Sequence, residues 1–178
     1  MKTQLQFLAY GAVSGILSWL FANTDTNNDY TNDYTFYIFT GLTFGVVVYI
    51  MSKRYVSIST TKGLAWIIVS ITSFYIAVQE ALYIATQQIS APEHYVPFLL
   101  GGAVGAFLML LGFHLFILEL NWKSVLVLTL LGGVLGLGFL VNFNSILPLF
   151  LIWQTGMILA IGNVLLRKSQ QPFLSPKK

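Results

Sequence analysis

The chain contains no cysteine, which excludes disulfides, thiolate metal ligands, iron–sulfur clusters and cysteine nucleophiles. Its two histidines, His94 and His114, are too few for a three-histidine metal site. The sequence also lacks the G-x-S-x-G, H-E-x-x-H and phosphate-loop motifs. It therefore points to no reaction centre: we expect no bound cofactor, and the question of an enzyme stays open, leaning against one.

Charge is equally scarce. Charged residues make up 8% of the 178 residues and hydrophobic residues 56%, whereas soluble domains are about 25% charged. A small soluble domain has too little interior to hide this much apolar surface. The apolar residues fall into runs close to the roughly 20 residues that a helix needs to cross a bilayer. The sequence predicts an all-α polytopic membrane protein with six transmembrane helices, over 5–22, 36–51, 64–85, 96–118, 125–141 and 146–166. We expect one domain over 1–168 and a flexible tail over 169–178.

The few basic residues predict the orientation. Of the five loops between these helices, only the second and fourth contain any of the nine Lys and Arg residues, and the remaining basic residues flank the two ends of the chain. Cytoplasmic loops carry such an excess. This pattern predicts an integral membrane protein, of a bacterial inner membrane, with both termini cytoplasmic and the lipid bilayer as its first partner. A net charge of +3 scattered over the chain argues against nucleic acid.

Two halves of the chain share a glycine pattern. Gly11 and Gly102 open similar small-residue segments, and the pair Gly41 and Gly45 matches Gly132 and Gly136, all at an offset of 91 positions. Trp66 and Trp153 are 87 apart. Because each half would contain three helices, a duplication predicts a 3+3 inverted repeat, an arrangement found in transporters. The alternative is ordinary close packing of membrane helices through small residues.

Glu80 is the costliest polar residue in the predicted helices, because an ionisable group in hydrocarbon is expensive. Ser70, Ser73 and Ala77 precede it at spacings that place all four on one helix face. This face could line a polar pocket that opens outward. Alternatively, Glu80 is a protonated acid that donates a hydrogen bond to an acceptor such as the Gln154 carbonyl, or it reaches the membrane interface.

A candidate binding site follows from the polar residues at similar depth. We expect Glu80 to face other helices or a polar cavity, near Gln154 or Trp153, rather than lipid. Interhelical hydrogen bonding is the alternative explanation for them. The candidate substrate-binding residues are Glu80, Gln79, Ser73, Tyr83, Gln154, Trp153 and Asn142.

Loop 1 and His114 can each be interpreted in a functional or a structural way. Loop 1 repeats Asn-Asp-Tyr-Thr and places oxygen-bearing side chains from Asp25 to Asp33 at every second position, as the start of a calcium loop does. It lacks the turn glycine and the final bidentate glutamate, so a polar hairpin is the alternative. His114 lies near the cytoplasmic end of helix 4, where we expect a helix-packing role, with a proton relay as the alternative.

Two functional classes agree best with these features of the sequence. The first is a transporter, channel or substrate-binding membrane subunit for a small solute. In length and six-helix layout the chain is similar to the vitamin-binding S-components of energy-coupling-factor transporters, although no motif carries this resemblance to particular residues. The second is a structural, assembly or accessory subunit of a larger membrane complex, including an immunity or defence protein. Membrane protein partners or a homo-oligomer remain possible for both.

Overall fold

Six helices, joined in sequence, form a single bundle. The computed structural model describes residues 2–22, 34–87, 95–138 and 147–170, and within these ranges it contains no β-strand. The predicted all-α class and the six helices are confirmed. The helices are α1 Lys2–Ala22, α2 Tyr34–Ser52, α3 Thr60–Gln87, α4 Val96–Phe116, α5 Trp122–Gly136 and α6 Leu147–Gln170.

The helix ends follow local sequence signals. Pro97 lies in the first turn of α4, where its missing N–H costs nothing. The Asn121 side chain accepts a hydrogen bond of 2.7 Å from the Ser124 N–H and so caps α5. Helix α5 therefore starts three residues earlier than predicted. Helix α6 continues to Gln170, two residues beyond the predicted domain end.

Among the described residues, three of the six predicted transmembrane helices have the length and hydropathy of a membrane span. Thr60–Thr86, Val96–Phe116 and Leu147–Ser169 are long and apolar enough to cross a membrane. Phe36–Ser52 and Trp122–Gly136 are apolar but shorter. These properties are compatible with a membrane location.

The distribution of polarity supports the same environment. Large apolar side chains lie on the outside of the bundle; those of α5 include Leu126, Val127 and Leu130, the last of which is 70% exposed. Several serine and threonine side chains and one glutamine are buried instead, among them Ser14, Ser18 and Gln154. A water-soluble protein shows the reverse distribution.

Glycines let the helix backbones approach closely. A Cβ on Gly11 would clash with the Thr155 backbone of α6, and a Cβ on Gly41 would clash with the Ile71 backbone of α3. Gly132 of α5 faces Ala106 of α4 in the same way. Each successive pair of helices packs together, and α1 closes the ring by packing on α6, while α2 also contacts α6. The glycines predicted as packing residues therefore serve several different interfaces.

Two tryptophans brace equivalent helix pairs. The Trp66 indole N–H of α3 donates to the Gly45 carbonyl of α2 at 2.9 Å, and the Trp153 indole N–H of α6 donates to the Gly132 carbonyl of α5 at 3.0 Å. Both bonds join residues 21 positions apart. They align the α2–α3 pair with the α5–α6 pair at an offset of 87 (132 − 45 and 153 − 66). This offset differs by about one helical turn from the 91 positions that the glycines alone suggest.

Trp66 lies near the start of the third predicted helix, and such a position near a segment end favours an interfacial tryptophan. The structure contradicts this prediction, because the Trp66 side chain is fully buried and packs edge-on against Phe113. Trp122 does lie on the surface, with 61% exposure. The apolar residues surround these helices on all sides, so periodicity did not reveal which face is the core.

Six Lys and Arg residues have side chains that the structure describes, and all six lie at the end of the bundle that holds the α2–α3 connection, here called the basic end. The Arg54 guanidinium lies 5.3 Å from the Tyr10 ring centroid and the Lys53 ammonium 5.5 Å from that of Tyr49. Cation–π contacts of this kind hold charged groups beside an aromatic surface. The opposite end, where α1 ends and α2 begins, is called here the polar end.

The tryptophan braces give a direct test. Trp66→Phe and Trp153→Phe each remove an indole donor and leave a buried glycine carbonyl without that bond. We expect each to lower the free energy of unfolding by about 1 kcal/mol or more, measured by reversible unfolding in mixed micelles. Trp122→Phe is the matched control on the surface and should be nearly silent. If the two core variants are as silent as the control, the braces do not stabilise the bundle.

Candidate functional site

A continuous chain of buried polar side chains joins α6, α1 and α2 in the half of the bundle nearer the polar end. The Ser14 hydroxyl donates to Gln154 Oε1, and Gln154 Nε2 donates to Ser18 Oγ at 2.8 Å. Ser18 Oγ lies 2.6 Å from Thr43 Oγ1, whose own proton goes to the Thr40 carbonyl at 3.0 Å. We call these five residues the polar chain.

Every member of the polar chain is buried or nearly so. Exposed fractions run from 0% for Ser14, Ser18 and Thr40 to 9% for Thr43, with Gln154 at 2%. In an apolar environment the alternative to such bonds is an unsatisfied polar group. The chain therefore fixes the mutual positions of three helices and concentrates hydrogen-bonding capacity in one region.

The bonds of Gln154 correct the sequence prediction for this residue. The Gln154 carbonyl is one acceptor that the sequence offers to a protonated Glu80, but the Gln154 amide oxygen accepts from Ser14 and its nitrogen donates to Ser18. Both partners belong to α1, where the sequence predicts no site residue. Serines and threonines are common in membrane helices and bond readily to their own backbone, so no sequence signal marked these four.

Glu80 lies on α3 outside the polar chain. Its Oε2 atom is buried and has no hydrogen-bond partner among the described residues. The nearby Ala77 packs against Gly101 and Gly105, which places this part of α3 against α4. The alternative in which Glu80 donates a hydrogen bond to the Gln154 carbonyl finds no support, because Gln154 is bonded to Ser14 and Ser18 and the buried Glu80 oxygen is unpaired among the described residues.

The α3 face with Ser70, Ser73, Ala77 and Glu80 does not line a single polar pocket. The Ser70 hydroxyl donates to the Gly41 carbonyl of α2 at 2.7 Å, whereas Ala77, further along the same face, contacts α4. Ser73 is buried, with 2% exposure. The α3 helix therefore uses this face to hold two neighbours, and only its end near Glu80 leaves a buried polar atom unpaired.

Gln79 and Tyr37 connect α3 with the neighbourhood of the polar chain. Gln79 Nε2 donates to the Tyr37 hydroxyl at 3.3 Å. Tyr37 precedes Thr40 by one helical turn on α2, so the two side chains lie on neighbouring parts of one face. Of the other candidates, Tyr83 is 66% exposed, on the outer surface of α3.

Trp153 and Asn142 complete the set of predicted site residues. The Trp153 indole N–H is already bonded to the Gly132 carbonyl, and its ring packs on the Phe44 ring with centroids 5.6 Å apart. Asn142 and loop 1, with its calcium-like spacing, lie outside the described residues. Within the described ranges no group of three or more His, Asp or Glu side chains is arranged to hold a metal ion.

His114 has a local structural role near the basic end. Its Nδ1 atom accepts a 2.9 Å hydrogen bond from the Leu120 N–H in the α4–α5 turn, and its ring stacks on Trp122 at a centroid distance of 6.1 Å. This agrees with the packing role expected from the sequence. The geometry holds the turn together and places no carboxylate of the described residues in a relay with it.

Comparison of the chain with protein-family models, with curated proteins and with solved structures finds no match. The site must therefore be interpreted from its own geometry.

Proposed function

We propose that this chain is an integral membrane protein of six spanning helices that binds a small polar solute through its polar end, as a transporter, channel or substrate-binding subunit. One observation carries the proposal: a chain of buried hydrogen-bonding side chains occupies the interior of an apolar bundle. Polar groups at such depth are costly and mark solute or ion paths in membrane proteins. The buried Glu80 oxygen without a partner and the Gln79–Tyr37 pair add polar groups in the same half.

The topology forms part of this proposal. The three longest apolar helices support membrane insertion, and the two shorter apolar helices together with α1 complete six spans. The basic end faces the cytoplasm of a bacterial inner membrane, with both termini, since Lys and Arg accumulate on that side. The polar end then faces outward. The two tryptophan braces support a relation between the halves of the inverted-repeat kind, with the α2–α3 and α5–α6 pairs as its clearest part.

A second function is favoured by a different observation. Most polar groups of the interior are already paired, and glycines bring the backbones into close contact. A bundle closed in this way suits a structural, assembly or accessory subunit of a membrane complex, including an immunity or defence protein. Such a subunit would co-purify with a partner and would not respond to solutes.

Cysteine labelling tests the topology, because the natural chain has no cysteine to interfere. Asn28→Cys and Glu93→Cys should react in intact cells with a reagent that does not cross the membrane. Ser57→Cys and Ser169→Cys should react only after the membrane is permeabilised. Labelling of the Ser57 position from outside would reverse the proposed orientation.

Solute binding can be tested by thermal unfolding of purified protein with a panel of amino acids, nucleosides, sugars and water-soluble vitamins. A solute at about 100 times its dissociation constant adds about 2.7 kcal/mol to the stability of the native state, which raises the melting temperature by several degrees. We expect Glu80→Gln, which keeps the size but cannot ionise, to fold and to lose most of this response.

Glu119→Gln is the matched control, because Glu119 is exposed near the basic end. It should respond to the same solute as the wild-type protein does. Absence of any response in the wild-type protein, together with a stoichiometric membrane-protein partner, would favour the accessory-subunit function. A response that Glu80→Gln leaves intact would remove Glu80 from the site.

A further inference from the structure

The polar chain ends at the side chain of Thr40. Thr40 has 0% exposure, and its Oγ1 atom has no hydrogen-bond partner among the described residues. Its own carbonyl accepts from Thr43, one turn further along α2. A buried hydroxyl that makes no bond costs about 1–3 kcal/mol, so a position of this kind calls for a partner.

The donor of each hydrogen bond in the polar chain can be assigned, and this shows which hydrogen atoms are still free to bond a ligand. Thr43 has a single hydroxyl proton, and it goes to the Thr40 carbonyl. The bond between Ser18 and Thr43 must therefore use the Ser18 proton, which agrees with Ser18 accepting from Gln154. Every hydroxyl proton of the chain is then committed except that of Thr40, and Gln154 Nε2 retains its second hydrogen.

The surroundings restrict the chemistry of a ligand. The members of the polar chain are all uncharged, and none is an ionisable residue. Phe36 and Phe150 pack near the same end of α2, with ring centroids 5.9 Å apart. An ion would lose its hydration here without gaining an opposite charge from the chain. An uncharged hydroxyl group or a water molecule can accept a hydrogen bond from the Thr40 hydroxyl. It can also donate a hydrogen bond to the Thr40 oxygen.

We propose that the Thr40 hydroxyl binds an uncharged oxygen ligand, either a water molecule or the hydroxyl of a neutral solute. A water in this position would extend the polar chain by one bond toward the polar end, as buried waters commonly do for otherwise unsatisfied groups. In the solute form, the inference rests on the proposed function and identifies its ligand as a neutral hydroxyl compound. In the water form it is independent of that function.

The test compares Thr40→Val with Thr40→Ser in purified protein from which small solutes have been removed by dialysis. Valine keeps the shape and removes the oxygen, whereas serine keeps the hydroxyl. If water is the ligand, Thr40→Val lowers the melting temperature by about 2–4 °C, the shift that corresponds to about 1 kcal/mol in a chain of this size, and Thr40→Ser lowers it less.

Thr129→Val is the matched control, because Thr129 Oγ1 is also buried without a partner among the described residues but belongs to α5, outside the polar chain. It should leave the melting temperature unchanged or raise it. Millimolar glycerol is the probe for a neutral solute. If a solute hydroxyl is the ligand, glycerol stabilises the wild-type and Thr129→Val proteins, and Thr40→Val loses this stabilisation while melting normally without glycerol.

A Thr40→Val protein that is at least as stable as wild type and that responds to glycerol as wild type does would overturn the proposal. Should Thr40→Val fail to fold, nuclear Overhauser effects from the Thr40 methyl group to water and to glycerol decide the question in the wild-type protein. Absence of both overturns the proposal, and either one supports it. The result is separable from that of the proposed function, which is read from the Glu80→Gln and Glu119→Gln pair with a different panel of solutes.

Discussion

The structure depends on one constraint: a polar group inside this apolar bundle has to find its partner on another helix, on its own backbone or in a molecule bound within the bundle. Leucine, isoleucine and valine side chains occupy much of the outer surface, while several serines and threonines and Gln154 are buried. The hydrocarbon around the bundle offers no hydrogen bonds to satisfy what the protein leaves open. Gln154 bonds two serines of α1, the tryptophans bond glycine carbonyls, and Ser70 reaches the carbonyl of Gly41. Glycine makes several of these bonds possible, because a residue without a side chain brings a neighbouring carbonyl within reach.

The same constraint identifies the positions where function is to be sought. Four side chains, those of Thr40, Ser52, Glu80 and Thr129, keep a buried oxygen without a partner among the described residues. Of these, Thr40 belongs to the polar chain and Glu80 lies in the same half of the bundle. Proteins depart from local rules most often where a ligand supplies the missing interaction. The paired groups then serve as the support that holds these two positions on rigid helices.

The sequence alone was sufficient for the helices and their approximate ends, because long apolar runs and scarce charge leave few alternatives. It also marked Gln154, Glu80 and the two tryptophans as unusual. It did not reveal which helices they join. Gln154 was assigned to Glu80 on α3, whereas α1 holds it. Helices that are apolar on all sides have no periodicity to mark their inner face, and the choice among several possible polar partners is made by the packing of glycines between backbones. Trp66 was misplaced at the membrane boundary for the same reason.

The central claim is that hydrogen bonding between Gln154 and the serines of α1 holds the polar end together. The most direct measurement is a double-mutant cycle of Ser14→Ala and Gln154→Leu, by reversible unfolding in mixed micelles. We predict a favourable coupling energy of about 0.6 kcal/mol, the average measured for hydrogen bonds between membrane helices, and at most about 1.7 kcal/mol. The pair Ser14→Ala and Ser70→Ala should be additive, since Ser70 belongs to a separate bond. A coupling near zero between Ser14 and Gln154 would contradict the account, because the polar chain would then not hold α1 to α6.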